Sequence, residues 1–178
     1  MDAPPEPVFD VMLPDVRPED LHGPISDEVL KCAYLSPAPA REAWPIVGAV
    51  YGPNLRCVAA VPVSYGGTCV YAHFVLDTAS PRTFVAREAL DALGHRPSCA
   101  DIPLINGVEL LSLPCSDDHV YWDADAGASR PVNFRGINLL GMDFLRRSGA
   151  TLTLCARRPD RRSPEDDRRA WSLDRKKP

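Results

Sequence analysis

Asp77 is the residue best placed to do chemistry. It follows the apolar run Phe74-Val75-Leu76 and enters a small polar turn, Thr78-Ala79-Ser80, before the chain turns apolar again at Phe84-Val85. A carboxylate delivered by a buried strand is unfavourable unless it is hydrogen-bonded, paired or protonated. The hydroxyls of Thr78 and Ser80 and the N–H groups of the turn can hold it. Two such carboxylates within about 3 Å share one proton, and the pair can deprotonate a water and protonate a leaving amine. One chain supplies one Asp77, and a two-fold dimer supplies both. The competing reading is a plain turn-former whose side chain caps local N–H groups.

Other chemistries find less support. Six cysteines, at 32, 57, 69, 99, 115 and 155, form no C-x-x-C pair, and no histidine stands at metal-ligand spacing from any of them. No metal or cofactor is therefore expected. Ser80 lacks a G-x-S-x-G elbow. His73 lies within a strand and reads as a hydrogen-bonded structural residue. The string Asp123-Ala124-Asp125-Ala126-Gly127 has no Thr and no apolar strand before it, so it reads as a loop.

The elements that must position Asp77 are legible in outline. "LRCVAAVPVSYGGTCVYAHFVLD" reads as two strands about a Gly66-Gly67 hairpin turn. The first shows little polarity on either face, so both faces are expected to be covered, and Pro62 must aim its missing N–H at an edge or bulge. Val85, Ala89, Leu90 and Leu93 give a helix of two to three turns, stopped by Gly94. Asn106-Gly107 signals a second hairpin. A strand over 137–140, a helix over 142–148 capped by Gly149, and a strand over 151–154 close the body.

"FVLDTASPRTFV" resembles the D-T-G-[AS] active-site segment of the aspartic proteases. "INLLGMDFLRRSGATLTL" is similar to their closing segment: two apolar residues, a Gly, a short helix and a last strand. Asp77 lies 64 positions before Gly141, a separation suited to one retropepsin-like subunit of the retroviral, retroelement or Ddi type. The resemblance covers roughly residues 55 to 155. It implies a mainly β, single-lobe closed barrel with one or two short helices, working as a two-fold homodimer. The implied activity is that of an aspartic endopeptidase cleaving a peptide or polyprotein substrate.

By the same resemblance, Asp77 is the catalytic carboxylate and Thr78 locks the two catalytic turns together across the dimer axis. Ser80 bonds the outer oxygen of Asp77, which favours the ionised form and a more acidic working pH. Leu140 and Gly141 pack beneath the turn. The family's flap hairpin maps onto Ile105, Asn106 and Gly107, with the 117–129 loop as rival. Ala79 departs from the pattern, because the family has Gly there so that backbones can approach closely.

That departure keeps an alternative open: a catalytically inactive dimerisation or peptide-binding module. A third reading is a nucleic-acid-associated domain, drawn from charge. The chain carries 20 Lys/Arg and 24 Asp/Glu, for a net charge of −4. From residue 156 onward basic residues outnumber acidic ones, so the body is acidic and the tail basic; interspersed Asp and Glu favour a solvated tail over a nucleic-acid contact.

Three regions are expected. Residues 1–45, rich in proline, form an arm on the surface or a removable, self-processed extension. The stretch Ser26–Leu35 gives one short helix there, N-capped by Ser26. Residues 46–156 form the protease domain, and 157–178 a disordered basic tail. With 45% apolar residues a packed core is expected, and no secretory signal or membrane-length apolar run is visible, so a cytoplasmic location is expected.

Overall fold

The computed structural model describes residues 15–96, 99, 101–118, 120–123, 128–131, 134–154 and 171–175, with backbone alone for 120–123 and 128–131. The first fourteen residues of the proline-rich arm and the basic run 157–170 lie outside these residues. In chain order the elements are α1 (Pro18–His22), a π-helical turn (Ile25–Leu30), β1 (Ile46–Tyr51), β2 (Arg56–Tyr65), β3 (Thr68–Leu76), α2 (Arg87–Ala92) and β4 (Leu104–Ile105). There follow β5 (Val120–Asp123), β6 (Ala128–Pro131), β7 (Asn138–Leu140), α3 (Met142–Ser148), β8 (Ala150–Leu154) and β9 (Trp171–Arg175).

Gly66 and Gly67 adopt φ of 57° and 87°, the left-handed values a two-residue hairpin turn requires, and fold β3 back along β2 from Tyr65 to Val58. This hairpin is the spine of a mainly β structure. The seven-stranded sheet runs β7-β3-β2-β1-β9-β8, with β4 also on β2. It curls into a half-barrel with β7 and β8 at its two ends, where the sequence predicts closure. β5 and β6 form a separate two-stranded ribbon.

β2 is covered on both faces, with Val58, Ala59, Val61 and Val63 all buried. Its outer edge changes partner, from β1 at Val58 to β4 at Val63. The Pro62 carbonyl accepts the Asn106 N–H on that edge at 2.7 Å. Within a strand the N–H and C=O of one residue share a side, so the missing donor of Pro62 falls where the ladder is already interrupted.

Two boundary expectations are corrected. Residues 171–175, expected in a disordered tail, form β9, paired with both β1 and β8. Trp171 and Leu173 are fully buried, and the Trp171 indole N–H donates to the Ala49 carbonyl at 3.0 Å. The apolar alternation Trp171-Ser172-Leu173 carries the reason, hidden in a charged neighbourhood.

The N-terminal arm is likewise part of the body from Asp15 onward. Val16, Leu21, Ile25 and Tyr34 join the main core. Leu35 N–H donates to the Tyr71 carbonyl, Tyr71 N–H to Ser36 and Ala38 N–H to Cys69, at 2.8–3.0 Å. This segment therefore covers the stretch of β3 edge that β7 leaves free. A removable extension would leave those donors and that apolar surface open. Ser26, expected as an N-cap, sits inside the π-helical turn; its hydroxyl donates to the Leu21 carbonyl at 2.6 Å and accepts the Tyr34 N–H at 2.9 Å. No helix among the described residues is long and apolar enough to cross a membrane.

Candidate active site

Asp77 leaves the end of β3 into an exposed turn. Its N–H donates to the Leu140 carbonyl at 3.0 Å, so β7 anchors the point where the carboxylate emerges. Oδ1 accepts the N–H groups of Ala79 (3.0 Å) and Ser80 (3.3 Å). The carboxylate is half-buried and its second oxygen is left for other partners, while Thr78, Ala79, Pro81 and Arg82 are exposed.

Two segments distant in sequence lace this turn in place. β7 runs parallel to β3 over residues 74–76 and 138–140. On its other side, Phe84 and Leu139 exchange both backbone hydrogen bonds at 2.9 Å. β7 thus threads between β3 and the chain leaving the turn. The Ser80 carbonyl accepts the Met142 N–H at 2.9 Å, which ties the turn to the start of α3.

Leu140 and Gly141 are both buried beneath the turn. A Cβ on Gly141 would lie 2.2 Å from the Arg82 carbonyl oxygen and 2.9 Å from the Thr83 nitrogen. Real Cβ atoms do not approach backbone so closely, so glycine here is a packing requirement.

Sequence reasoning missed Thr83, Asp143 and Asn138. Thr83 is fully buried; its hydroxyl donates to Asp143 Oδ1 at 2.6 Å and accepts the Gly141 N–H at 3.0 Å. The same Asp143 oxygen caps α3 through the Phe144 N–H at 2.7 Å. Asn138 accepts the Ala86 N–H on Oδ1 and donates from Nδ2 to the His73 carbonyl and the Tyr34 hydroxyl. The available signal was a Thr and an Asn next to apolar strands, which in isolation reads as ordinary strand composition.

Ser80 departs from its expected role. Its hydroxyl donates to the Arg82 carbonyl at 2.7 Å, not to Asp77, so the hydrogen bond invoked for a more acidic working pH is not made within the chain. Ala79 is not among the residues with positive φ, so its methyl brings no backbone strain. Any steric effect of that methyl must arise against a second molecule.

The flap assignment does not survive. Asn106 and Gly107 form a tight turn with φ of 47° and 75°, but Asn106 is only 1% exposed. Its side chain accepts the Ala43 N–H at 2.7 Å and donates to the Ala43 carbonyl at 3.3 Å. Ile105 pairs with Val63, which itself pairs with Val70. That register lies seven positions from Asp77, roughly 23 Å at a strand rise of about 3.3 Å. The turn is clamped under the N-terminal segment at the far end of the hairpin. The β5–β6 ribbon, which spans the rival loop, is separate from the main sheet.

Two clefts of about 460 and 370 Å³ are lined by other parts of the chain, around Tyr65–Thr68 and between α2 and residues 111–118, and neither includes the Asp77 turn. Among the described residues no three His, Cys, Asp or Glu side chains gather as a metal site. No family model, curated protein or solved structure matches the chain.

Proposed function

We propose that the Asp77 turn is one half of an aspartic endopeptidase site, completed by Asp77 of a second copy. The observation that carries this reading is the suspension of the turn. Backbone bonds to Leu140 and Met142 fix it, the turn's own N–H groups take Asp77 Oδ1, and residues 78–79 are exposed. A plain turn-former needs neither β7 threaded beneath it nor a bond from buried Thr83 to Asp143 behind it. Met142, 43% exposed beside the turn, adds an apolar rim that a second molecule would cover.

In the proposed reaction the two carboxylates hold one proton and one water. The ionised carboxylate takes a proton from the water as it attacks the peptide carbonyl, and the protonated one gives its proton to the carbonyl oxygen. Collapse of the tetrahedral intermediate moves a proton to the leaving nitrogen and breaks the C–N bond. The substrate is an extended peptide with apolar residues at the cut, and the β5–β6 ribbon is the candidate cover.

The test is cleavage of an apolar-rich peptide library between about pH 4 and 7, with sedimentation in parallel. Pepstatin-sensitive cleavage that vanishes in Asp77→Asn supports the reading. Cleavage that survives the substitution, or cleavage by a strict monomer, overturns the mechanism. The second reading, an inactive peptide-binding module of the same architecture, is favoured by Ala79. It predicts peptide binding without cleavage, and a gain of cleavage in Ala79→Gly.

A further inference from the structure

His73 is a buried ionisable group that the proposed reaction does not use. It is fully enclosed at the centre of β3, with Ala60 of β2 opposite. Its Nδ1 lies 3.2 Å from the Leu21 carbonyl, which can only accept, so Nδ1 carries the proton. Nε2 is buried with no hydrogen-bond partner of normal geometry. The ring is covered by the N-terminal segment: Tyr34 packs on it at 5.2 Å, and His22 packs edge-on against Tyr34 at 4.9 Å. Leu21, His22, Cys32 and Tyr34, which face the ring opposite the sheet, all belong to this segment.

We infer that residues 16–38 are a strap latched by neutral His73, which acid opens from the edge of β3 ahead of the rest of the sheet. A second proton on this imidazole would place a charge in a site closed to water, where Nε2 has no hydrogen bond of normal geometry and the Cys32 backbone offsets only part of the cost. The sheet cannot relieve it, because β2 and β3 pair throughout and β7 is threaded between two chain segments. The strap can, since it holds β3 through only three backbone bonds, at Cys69 and Tyr71, with Val16, Leu21, Ile25 and Tyr34 packed beside them.

The surrounding charges do not cancel the effect. From the strap come His22, Tyr34 and Cys32; α2 contributes Glu88; the segment after β4 contributes Asp117; β7 contributes the neutral Asn138. Glu88 pairs with His22 at 2.9 Å, but both side chains are about half exposed. A pair so exposed favours docking by less than about tenfold. His22 also disfavours a second nearby positive charge. Burial lowers the His73 pKa from 6.5 to about 4 against smaller opposing effects of the Leu21 and Cys32 backbone. That difference corresponds to a roughly 300-fold change in the strap-opening equilibrium over the acid range.

The strap also touches the scaffold of Asp77. The Tyr34 hydroxyl accepts from Asn138, whose other bonds fix Ala86 and β3 just before β7 reaches Leu140. Opening withdraws that support and uncovers N–H and C=O groups of β3. The latch itself stands whether or not Asp77 is catalytic.

Amide hydrogen exchange of the full chain, read as protection factors at about pH 7 and about pH 4, tests this. The expected result is that the amides of Leu35, Ala38 and Tyr71 lose protection by roughly 100-fold between these two pH values while those paired between Val58–Val61 and Ala72–Val75 keep theirs. His73→Gln should flatten the pH dependence of the strap amides. If that variant does not fold, the imidazole resonance of His73 in the unmodified chain should shift in step with strap opening. Loss of strap and sheet protection together, strap protection independent of pH, or a slope unchanged in His73→Gln would each overturn the inference.

Discussion

Replacing Gly141 by Ala puts one methyl where the turn after Asp77 leaves no room. The backbone at Gly141 has φ of −91°, which any residue adopts, so the effect is purely steric. The new Cβ would stand 2.2 Å from the Arg82 carbonyl oxygen and 2.3 Å from its carbon. Ordinary contact requires about 1 Å more, and the obstacle is backbone, so either β7 or residues 82–83 must move. Overpacking of this kind costs about 1–3 kcal/mol. The displacement also breaks the Gly141 N–H bond to Thr83 Oγ1, leaving a buried hydroxyl short of a partner, for about another 1–3 kcal/mol. The sum, about 4 kcal/mol, is a large part of a typical stability of about 5–15 kcal/mol. It corresponds to a fall in melting temperature of roughly 8–16 °C for a chain of this size. Thermal denaturation of Gly141→Ala beside Gly52→Ala measures it. Gly52 has φ of 71° and open space around it, so that variant reports backbone strain of about 1 kcal/mol without a clash. A Gly141→Ala melt within about 2 °C of the unmodified chain would refute the packing argument.

Three further outcomes follow from other parts of the chain. Trp171→Ala should destabilise by about 3–5 kcal/mol, because it empties a core position and orphans the Ala49 carbonyl; denaturant titration checks it, and a change below about 1 kcal/mol would return residues 171–175 to the tail. Gly107→Ala should leave the proposed peptide cleavage unchanged and lower stability by about 1 kcal/mol, since the atoms nearest its Cβ belong to the flexible Glu42 side chain, at 2.5 Å, and the φ is 75°; a loss of cleavage would restore that turn as the flap. Stability should fall on acidification through the His73 range. Its folded pKa of about 4 lies below the ordinary 6.5, so the unfolded chain binds the proton first. The contribution is complete above 6.5 and is lost progressively down to about 4, for about 3 kcal/mol; urea melts across this range should lose that slope in His73→Gln.

The local signals in the sequence held where the chemistry is local. Gly66-Gly67 needs positive φ and turns the hairpin; Gly149, at φ of 63°, stops α3; Gly94, at 72°, follows α2. The apolar repeat Val85, Ala89, Leu90, Leu93 is buried, though the helix is shorter than its spacing predicts: α2 starts at Arg87, and Val85 is bonded to Pro114 and Ser116 instead. Asn106-Gly107 is also the predicted turn, yet the inference from turn to flap failed. Nothing in a hairpin's own residues says whether another segment will lie across it, and here Ala43 and Glu42 do. Residues 157–178 misled for a related reason. Charge averaged over a window hid Trp171 and Leu173, whose apolar side chains find partners only in β1 and β8.

Asp77 shows the division most clearly. The sequence by itself determined that a carboxylate follows a buried strand into a turn of small residues, because apolar periodicity and turn chemistry are properties of neighbours. It also determined that a glycine recurs after a second apolar strand. Only the tertiary structure decided that these two segments support one another. The Leu140 carbonyl receives the Asp77 N–H, the Gly141 backbone fits under Arg82, and Thr83 bridges to Asp143. It decided, too, that Ser80 turns to Arg82 and not to Asp77. The contacts of Asp77, Gly141 and Thr83 join residues some sixty positions apart. They depend on the register of β7 against β3, which is set by the packing of the whole sheet and not by any short stretch of chain.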